Sequence, residues 1–212
     1  MTAIYHITHI DNLSGIIEAG GLWCDAECST RAIQPVEIAY ADLKGRRSRT
    51  QVPTLGGVLA DYVPFYFANR SPMLGAIHTG RVAGYAGGQE SVVYLVSSVE
   101  LIAQTTATWC FTDGHAVERL TRYYQNLADL TELDWGLINS WKWRDTLDDP
   151  DRMRRKQAEF LVRQFAPWGW VESLATINPG VAKQVVAMLQ KAAPEMRKQV
   201  AIQPRWYYDG DR

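Results

Sequence analysis

A glutamate in an otherwise apolar stretch is the side chain best suited to chemistry in this sequence. Residues 155–163 read RKQAEFLVR, and as a β-strand they alternate between two faces. Ala158, Phe160 and Val162 then share a core-facing side, and Glu159 lies on the other. Burying a carboxylate without a partner is costly, so Glu159 either pairs with a cation or takes part in catalysis. Most strand glutamates are simply solvated, and the accompanying residues decide between these interpretations.

Other polar side chains could join Glu159 in a site. Gln157 lies two residues earlier on the same predicted face, and a basic run precedes it. Near the N-terminus, His6 and Thr8 share one side of a strand predicted over residues 4–8. A lone histidine is more often structural than catalytic, but the polar neighbours of His6 leave both interpretations open.

The basic cluster at residues 44–49, KGRRSR, offers an arginine for anion binding. A solvated loop is the ordinary interpretation of such a run. Because guanidinium binds phosphate bidentately and lysine does not, Arg46 or Arg47 could instead be drawn into a site. A helix predicted over residues 36–44 leads into this cluster.

An aromatic strand and a long excursion are candidates for the walls of a pocket. Residues 62–67, YVPFYF, are β-prone. Residues 115–151 show a helical pattern only around 117–127, and ordered loops of this length are usually functional in a compact domain, so we predict a substrate-facing lid. The WKWR motif at 141–144 interleaves rings with cations, a composition used to bind single-stranded nucleic acid. A packed surface loop has the same composition.

The composition is that of a globular protein, and one domain over residues 1–212 is the simplest division. Hydrophobic residues make up 47% and charged residues 21%, and the formal net charge of -1 excludes a global positive field. Cys24, Cys28 and Cys110 lack a second pair of ligands at zinc spacing, so we expect reduced thiols and no metal. There is no signal peptide and no apolar run of about 18 residues, which predicts a cytoplasmic protein without a membrane partner.

The elements that must hold these side chains alternate between strands and short helices, which indicates an α+β fold. Further strands are predicted at 91–96, 107–111, 170–177, 200–202 and 206–208. Further helices are predicted after an N-cap at Asp11 or Asn12, at 73–78 with Ser71 as N-cap and Pro72 just inside, at 99–103, and from Pro179.

The common nucleotide and hydrolase motifs GxGxxG, GxxxxGK[ST], HExxH and GxSxG are absent from the sequence. A strand-borne Gln-x-Glu with an early histidine and an early arginine is instead the constellation of ADP-ribosyltransferases. Four blocks resemble the DarT family of DNA ADP-ribosyltransferase toxins: YHIT at 5–8, RR at 46–47, DYVPFYFANRSPM at 61–73 and KQAEFLV at 156–162. The resemblance spans most of the chain and implies an ADP-ribosyltransferase-like fold, with a central split β-sheet, flanking helices and a long substrate loop.

The resemblance also implies a reaction: transfer of ADP-ribose from NAD, as a substrate, to a thymine base in single-stranded DNA, reversed by a macrodomain antitoxin (DarG). Glu159 would stabilise the oxocarbenium-like ribose and accept the proton of the thymine nitrogen. The catalytic arginine would be Arg46, which would also contact NAD, with Arg47 as the fallback. The remaining NAD contacts would be His6, Thr8, Tyr66, Phe67 and Met73. The DNA contacts would be Trp141, Trp143, Arg154, Arg155, Lys156 and, more weakly, Gln157.

Two competing interpretations stay open. The first is an ADP-ribosyltransferase that modifies protein or RNA, and the polymer that acquires label from NAD distinguishes it. The second is a catalytically silent binding module that retains the fold, which unchanged toxicity of a Glu159→Ala variant would support.

Overall fold

The computed structural model of the chain describes residues 1–209, which form a mixed sheet of eight strands with a two-stranded sheet beside it. The strands are β1 (Ala3–His9), β2 (Gly21–Trp23), β3 (Tyr62–Tyr66), β4 (Val92–Ser98), β5 (Trp109–Thr112), β6 (Tyr123–Tyr124), β7 (Glu159–Arg163), β8 (Phe165–Pro167), β9 (Ser173–Thr176) and β10 (Gln199–Ile202). The α-helices are α1 (Leu13–Glu18), α2 (Asp25–Thr30), α3 (Ala41–Arg47), α4 (Pro72–His78), α5 (Val99–Ala103), α6 (Trp135–Ile138), α7 (Arg152–Lys156) and α8 (Pro179–Lys191).

The large sheet is divided near its middle, between β1 and β3. Its strand order is β10-β9-β4-β1-β3-β7-β5-β6, and all its neighbouring strands are antiparallel except β10 and β9. Whereas β1 pairs with β4 along its whole length, β1 and β3 share the single register pair Tyr5↔Tyr66. The strands separate beyond that pair, so the predicted α+β fold with a split central sheet is confirmed.

Hydrophobic side chains cover both faces of the sheet and confirm the predicted alternation around Glu159. Phe160 and Val162 belong to the largest buried cluster, which includes Phe65 from the neighbouring strand β3. Leu161 packs on the opposite face with Cys110 in a smaller cluster. Glu159 lies on the face of Leu161 and is itself buried.

Three predicted helices form where the sequence signals place them. Ser71 caps α4 by accepting a hydrogen bond from the Leu74 N–H over 3.2 Å, and Pro72 follows at the first helical position. Asn178 caps α8 in the same way through the Val181 N–H over 3.0 Å. Helix α5 has the predicted bounds.

The predicted strand over 155–163 begins only at Glu159, so the prediction is wrong for residues 155–158. Residues 152–156 form the short helix α7 instead, and Gln157 follows it as the C-terminal cap. Asp151 stabilises this turn, because Arg154 and Arg155 pair with its carboxylate at helical spacing.

Three other predicted elements are displaced or do not form. The helix predicted from residue 36 starts at Ala41, since the Asn12 amide binds both the N–H and the C=O of Val36. The helix predicted over 117–127 does not form, and the Thr121 hydroxyl instead closes a turn onto the His115 carbonyl over 2.7 Å. Residues 204–206 form a 3₁₀ turn in place of the start of the strand predicted at 206–208.

Candidate active site

The opening between β1 and β3 leads into a cavity of about 310 Å³. His6 of β1 spans the opening, with its Nδ1 2.9 Å from the Pro64 carbonyl oxygen of β3. Proline is tolerated here because no ladder partner on the β1 side needs its missing N–H. Residues that line the cavity include His6, Thr8, Arg47, Pro64, Tyr66 and Met73, together with the segment 33–39. The volume and mixed lining are those of a small-molecule site.

Glu159 and Arg47 form a buried ion pair beside this cavity. Arg47 Nη1 donates to Glu159 Oε2 over 2.9 Å, and the two side chains are 8% and 1% exposed. Burial by itself would lower the pKa of the guanidinium, but the adjacent carboxylate outweighs it and the pKa of Arg47 is raised. Arg47 Nη2 is buried and has no hydrogen-bond partner within the described part of the chain. The pair therefore keeps a charged donor for an oxyanion.

The second oxygen of Glu159 is held by a main-chain amide. The Ala116 N–H donates to Glu159 Oε1 over 2.9 Å. Tyr123 fixes the same residue through the next peptide unit, since its hydroxyl donates to the Ala116 carbonyl over 2.7 Å. Burial, followed by the negative charge of Glu159, raises the pKa of Tyr123 and keeps it a neutral donor.

The turn that carries Ala116 is itself braced by Arg154. Arg154 Nη1 donates to Asp113 Oδ1 over 2.8 Å and to the Thr121 hydroxyl over 3.2 Å, while the Arg154 carbonyl accepts from the His115 N–H over 2.9 Å. Gly114 lies so close to Arg154 that a Cβ atom on it would be 2.4 Å from Nη1. The position of the Glu159 carboxylate therefore depends on a chain of contacts that ends on α7.

His6 and Tyr66 present neutral polar groups at the cavity. Burial lowers the pKa of His6, so the ring is neutral at physiological pH. Its Nδ1 carries the proton, because the Pro64 carbonyl can only accept, and Nε2 is left as an acceptor. Tyr66 is the register partner of Glu159, and burial followed by that carboxylate raises its pKa. The Tyr66 hydroxyl lies 3.4 Å from the Met73 sulfur.

The segment 31–40 forms a strap along the cavity and is fastened at two points. Asn12 Nδ2 donates to the Val36 carbonyl over 3.0 Å, and Asn12 Oδ1 accepts from the Val36 N–H over 2.7 Å. Lys44 joins the strap to α2, through ion pairs with Glu37 and, over 3.0 Å, with Asp25. Besides these polar contacts, Ile38 of the strap is buried in a hydrophobic cluster against which Tyr40 packs.

Comparison with known proteins agrees with this geometry. The family described as "ssDNA thymidine ADP-ribosyltransferase, DarT" matches residues 5–208. A DNA ADP-ribosyl transferase of Thermus sp. (strain 2.9) is 42% identical over 98% of this chain and 96% of its own. This chain belongs to the DarT family. The structure of Thermus sp. 2.9 DarT in complex with ADP-ribosylated ssDNA superposes with a TM-score of 0.89 and 41% identity, over 98% of this chain and 96% of that one. The complex of the Thermus protein with NAD+ gives a TM-score of 0.84 and 39% identity, over 98% of both chains.

The predictions of family and fold class are thus confirmed for this DarT-family chain. The names and bound molecules of these relatives agree with the predicted NAD substrate and DNA ADP-ribosyltransferase activity. Across residues 1–209, no three His, Cys, Asp or Glu side chains are grouped so that they could hold a metal ion. Within the same range, no helix is long and apolar enough to cross a membrane. The three cysteines are free thiols.

The residues predicted to bind NAD divide into two groups in this DarT-family structure. His6, Thr8, Tyr66 and Met73 all line the cavity. Phe67 does not, because it points into the core and packs edge-on against Phe111, Trp135 and Phe160. Phe67 directly follows Tyr66, the last residue of β3, and its N–H still pairs with the Ala158 carbonyl over 3.2 Å. Because successive side chains of an extended chain face opposite ways, Phe67 points away from the cavity.

The arginine chosen from the sequence lies outside the site. Arg46 is half exposed and pairs with Glu118 over 2.9 Å, away from Glu159. Arg47, the fallback, holds the carboxylate. The sequence does not predict the role of the Ala116 amide, because a main-chain donor leaves no residue-type signal. It offers Asn12 only as one of two candidate helix caps, beside Asp11.

The predicted DNA contacts are mostly engaged within the protein. Arg155 pairs with Asp134, Asp149 and Asp151, and Arg154 with Asp113 and Asp151. The Lys156 ammonium is buried and donates to the Ile138 and Ser140 carbonyls over 2.6 and 2.8 Å. Gln157 Nε2 donates to the Met153 carbonyl over 3.1 Å, and Trp143 Nε1 donates to the Tyr208 hydroxyl over 2.8 Å. Trp141 differs from them, because its ring is half exposed.

Proposed function

We propose that this chain transfers ADP-ribose from NAD to a thymine base in single-stranded DNA and releases nicotinamide. The observation that carries the proposal is the ion pair of Glu159 and Arg47 at the opening between β1 and β3, directly beside a cavity lined by His6 and Tyr66. The Thermus relatives described above, which bind NAD+ and ADP-ribosylated ssDNA, support the choice of substrates.

Arg47 is our choice for the arginine that binds the NAD diphosphate. Its Nη2 is a buried, unpaired donor, and its side chain lines the cavity. A guanidinium with a free donor binds phosphate oxygens well because the hydrogen bond is charge-assisted. Arg46 has no such opportunity, since it faces solvent and is paired with Glu118.

The nicotinamide and ribose end of NAD would lie along His6, Thr8, Tyr66 and Met73. The neutral His6 ring offers Nε2 as an acceptor, and Thr8 offers a hydroxyl whose oxygen already accepts from Asn12 Nδ2 over 3.1 Å. Neutral groups suit this end of the pocket, because a fixed positive charge would oppose the charge that develops on the ribose.

Glu159 supplies the transition-state stabilisation. As the bond between the ribose C1′ and nicotinamide breaks, nicotinamide leaves with the electron pair and the ribose becomes oxocarbenium-like. A carboxylate hydrogen-bonded to a ribose hydroxyl stabilises that charge. The thymine nitrogen then donates its electron pair to C1′ and loses its proton, for which Glu159 is the nearest charged base in the site. The steps balance without a metal or a redox partner.

A macrodomain antitoxin that removes the ADP-ribose remains our proposal for the regulatory partner, and a toxin is the proposed role. Both rest on the family resemblance. The proposed setting is the cytoplasm, where single-stranded DNA is available to a DNA-modifying enzyme.

The decisive experiment weighs the products. The purified chain is incubated with NAD and matched oligonucleotides that contain or lack thymine, alongside RNA of the same sequence and a protein extract. We expect one added ADP-ribose unit on thymine-containing single-stranded DNA only, and none with the Glu159→Gln variant. Label on RNA or protein instead would establish one of the competing activities, and full activity of Glu159→Gln would remove the catalytic role of the carboxylate.

A further inference from the structure

Arg70 is a buried cation held between two aromatic rings. Its guanidinium carbon lies 4.0 Å from the ring centroid of Trp141 and 4.3 Å from that of Tyr208. The residue is 4% exposed, and its Nε and Nη1 have no hydrogen-bond partner among residues 1–209. No ion pair joins it to a carboxylate within residues 1–209, unlike Arg154 and Arg155. A buried charge in this state attracts anions strongly, because little in its surroundings screens it.

The inner end of the stack is rigid. The Tyr208 hydroxyl accepts from Trp143 Nε1 over 2.8 Å and donates to the Ser71 carbonyl over 3.1 Å, and its main-chain N–H donates to Gln89 Oε1 over 2.9 Å. The rings of Tyr208 and Trp143 pack over Gly75, where an added Cβ would lie 3.2 Å from Tyr208 and 3.3 Å from Trp143. Arg70 is therefore held against a fixed surface, and the outer ring, Trp141, rests on Arg70.

The outer end of the stack is open. Trp141 is 50% exposed although indole is largely apolar, and it lies in the loop that the sequence marked as a substrate-facing lid. Arg70 covers one ring face. The exposed remainder is a flat aromatic surface backed by a positive charge.

The stack lies at the end of the sheet where Glu159 is found. Strands β3 and β7 are antiparallel, and Tyr66 at the end of β3 pairs with Glu159 at the start of β7. Arg70 follows Tyr66 by four residues. Lys156, three residues before Glu159, is close enough to Arg70 that burial and this neighbour together lower its pKa to about 8. Arg70 and Lys156, which have no acidic partner in the described part of the chain, thus adjoin the catalytic end of the sheet.

We propose that Trp141 and Arg70 form a binding site for one base of single-stranded DNA next to the target thymine. The base stacks on the open face of Trp141, and Arg70 behind the ring attracts the neighbouring phosphates. This inference rests on the proposed function, because it assumes a DNA acceptor. Stacking of this kind tolerates any base, since every base has a π-face. Arg70 supports the Trp141 ring from behind and supplies the positive charge of the site.

The test compares Trp141→Ala with Leu147→Ala, a matched control in the same loop whose side chain is fully exposed. We expect Trp141→Ala to weaken binding of a thymine-containing oligonucleotide by about 5- to 150-fold, as measured by fluorescence anisotropy. Trp141→Phe should recover part of this affinity, and Leu147→Ala should leave it unchanged. KM for NAD should not change in any of them. Equal affinity of Trp141→Ala and Leu147→Ala would overturn the proposal.

A scan with abasic oligonucleotides locates the base. For the wild-type protein, removing one particular base beside the thymine should weaken binding, and for Trp141→Ala the same removal should have no further effect. If removing the base weakens binding by the same factor in the wild-type protein and in Trp141→Ala, the base stacks elsewhere. If the wild-type protein modifies DNA and Trp141→Ala binds the oligonucleotide with wild-type affinity, the proposed base-binding site is refuted and the proposed function stands. If the wild-type protein modifies no DNA, the proposed function fails.

Arg70 is tested separately because it is buried. Arg70→Met should weaken DNA binding and make its salt dependence shallower, whereas Arg70→Lys should retain the salt dependence and lose affinity through poorer stacking. Melting curves identify any variant that has unfolded, and in that case the comparison of Trp141 with Leu147 decides. An Arg70→Met protein that is folded and has wild-type affinity and salt dependence would remove Arg70 from the site.

Discussion

Replacing Gly114 by alanine should disable the Glu159 carboxylate without touching it. A Cβ atom on Gly114 would lie 2.4 Å from Arg154 Nη1 and 2.9 Å from the Arg154 carbonyl oxygen. The guanidinium cannot simply swing away, because Nη1 is bound to Asp113 and Thr121, and the carbonyl oxygen is main chain. The turn must therefore shift, and its shift moves the Ala116 N–H away from Glu159.

The size of the effect follows from the hydrogen bond that is lost. A hydrogen bond to a charged group contributes about 1.5–3 kcal/mol. At about 1.4 kcal/mol per tenfold change in rate, its absence from the transition state lowers kcat by about 10- to 150-fold. KM for NAD should change little, because the cavity and Arg47 are not part of the turn. The free energy of unfolding should also fall, by about 1–3 kcal/mol, since the displaced contacts are partly buried.

The assay is steady-state transfer to a thymine-containing oligonucleotide, with kcat and both KM values measured below the melting temperature of each variant. Gly136→Ala is the matched control, because a Cβ there would meet only Asp134 Oδ1, at 3.5 Å, and it lies in the helix α6. We expect wild-type kinetics from it. A Gly114→Ala enzyme with wild-type kcat would refute the reasoning that the braced turn positions Glu159.

Three further predictions use the remaining contacts. Arg47→Ala should lower transfer more than about 100-fold, because it strips a buried carboxylate of its ion-pair partner, while Arg46→Ala should stay within about twofold; equal losses would refute the assignment. Folding lowers the pKa of Lys156 to about 8, so the unfolded chain keeps that proton to higher pH than the folded chain does. The free energy of unfolding should therefore rise by on the order of 3 kcal/mol as pH rises from about 8 to about 10.5. The wild-type protein should therefore gain unfolding free energy relative to Lys156→Met over this range, and parallel pH profiles from chemical denaturation would contradict this. Asn12→Ala removes the two hydrogen bonds that hold Val36, each of about 1 kcal/mol. KM for NAD should therefore rise up to about 30-fold at constant kcat. A change confined to kcat would contradict a role of Asn12 in holding the strap.

The carboxylate could be found from the sequence because its signal is local. A charged residue within an apolar strand is costly wherever the strand lies, and the face shared with Leu161 was correctly assigned. His6 and Thr8 were found for a similar reason, since a two-residue period fixes which side chains share a face. Phe67 was misplaced against the same rule, because the resemblance suggested it and its strand phase contradicts it.

The choice between Arg46 and Arg47 needed tertiary information. Neighbouring residues on a helix point about 100° apart, so the register of α3 against the sheet decides which arginine faces inward. That register is seen in a contact between residues far apart in the chain, the ion pair of Arg47 with Glu159, which the local sequence does not reveal. Part of the neutralisation of Arg154 and Arg155 was visible in the sequence, because Asp151 lies at helical spacing before them, but Asp113 and Asp134 are distant in the chain.

The ion pair that marks the site also limits what its carboxylate can do before substrate binds. Both oxygens of Glu159 already accept a hydrogen bond, one from Arg47 and one from the Ala116 amide, and the side chain is only 1% exposed. A ribose hydroxyl can therefore reach the carboxylate only if one of these neighbours moves aside. We infer that Arg47 yields, because its Nη2 is free for the diphosphate, whereas Ala116 belongs to a braced turn. Glu159 Oε2 then loses its bond to Arg47 only when NAD binds and brings a ribose hydroxyl to replace it. A structure with NAD bound should show the Arg47–Glu159 distance longer than 2.9 Å and the Ala116 contact intact, and the reverse pattern would refute this order of events.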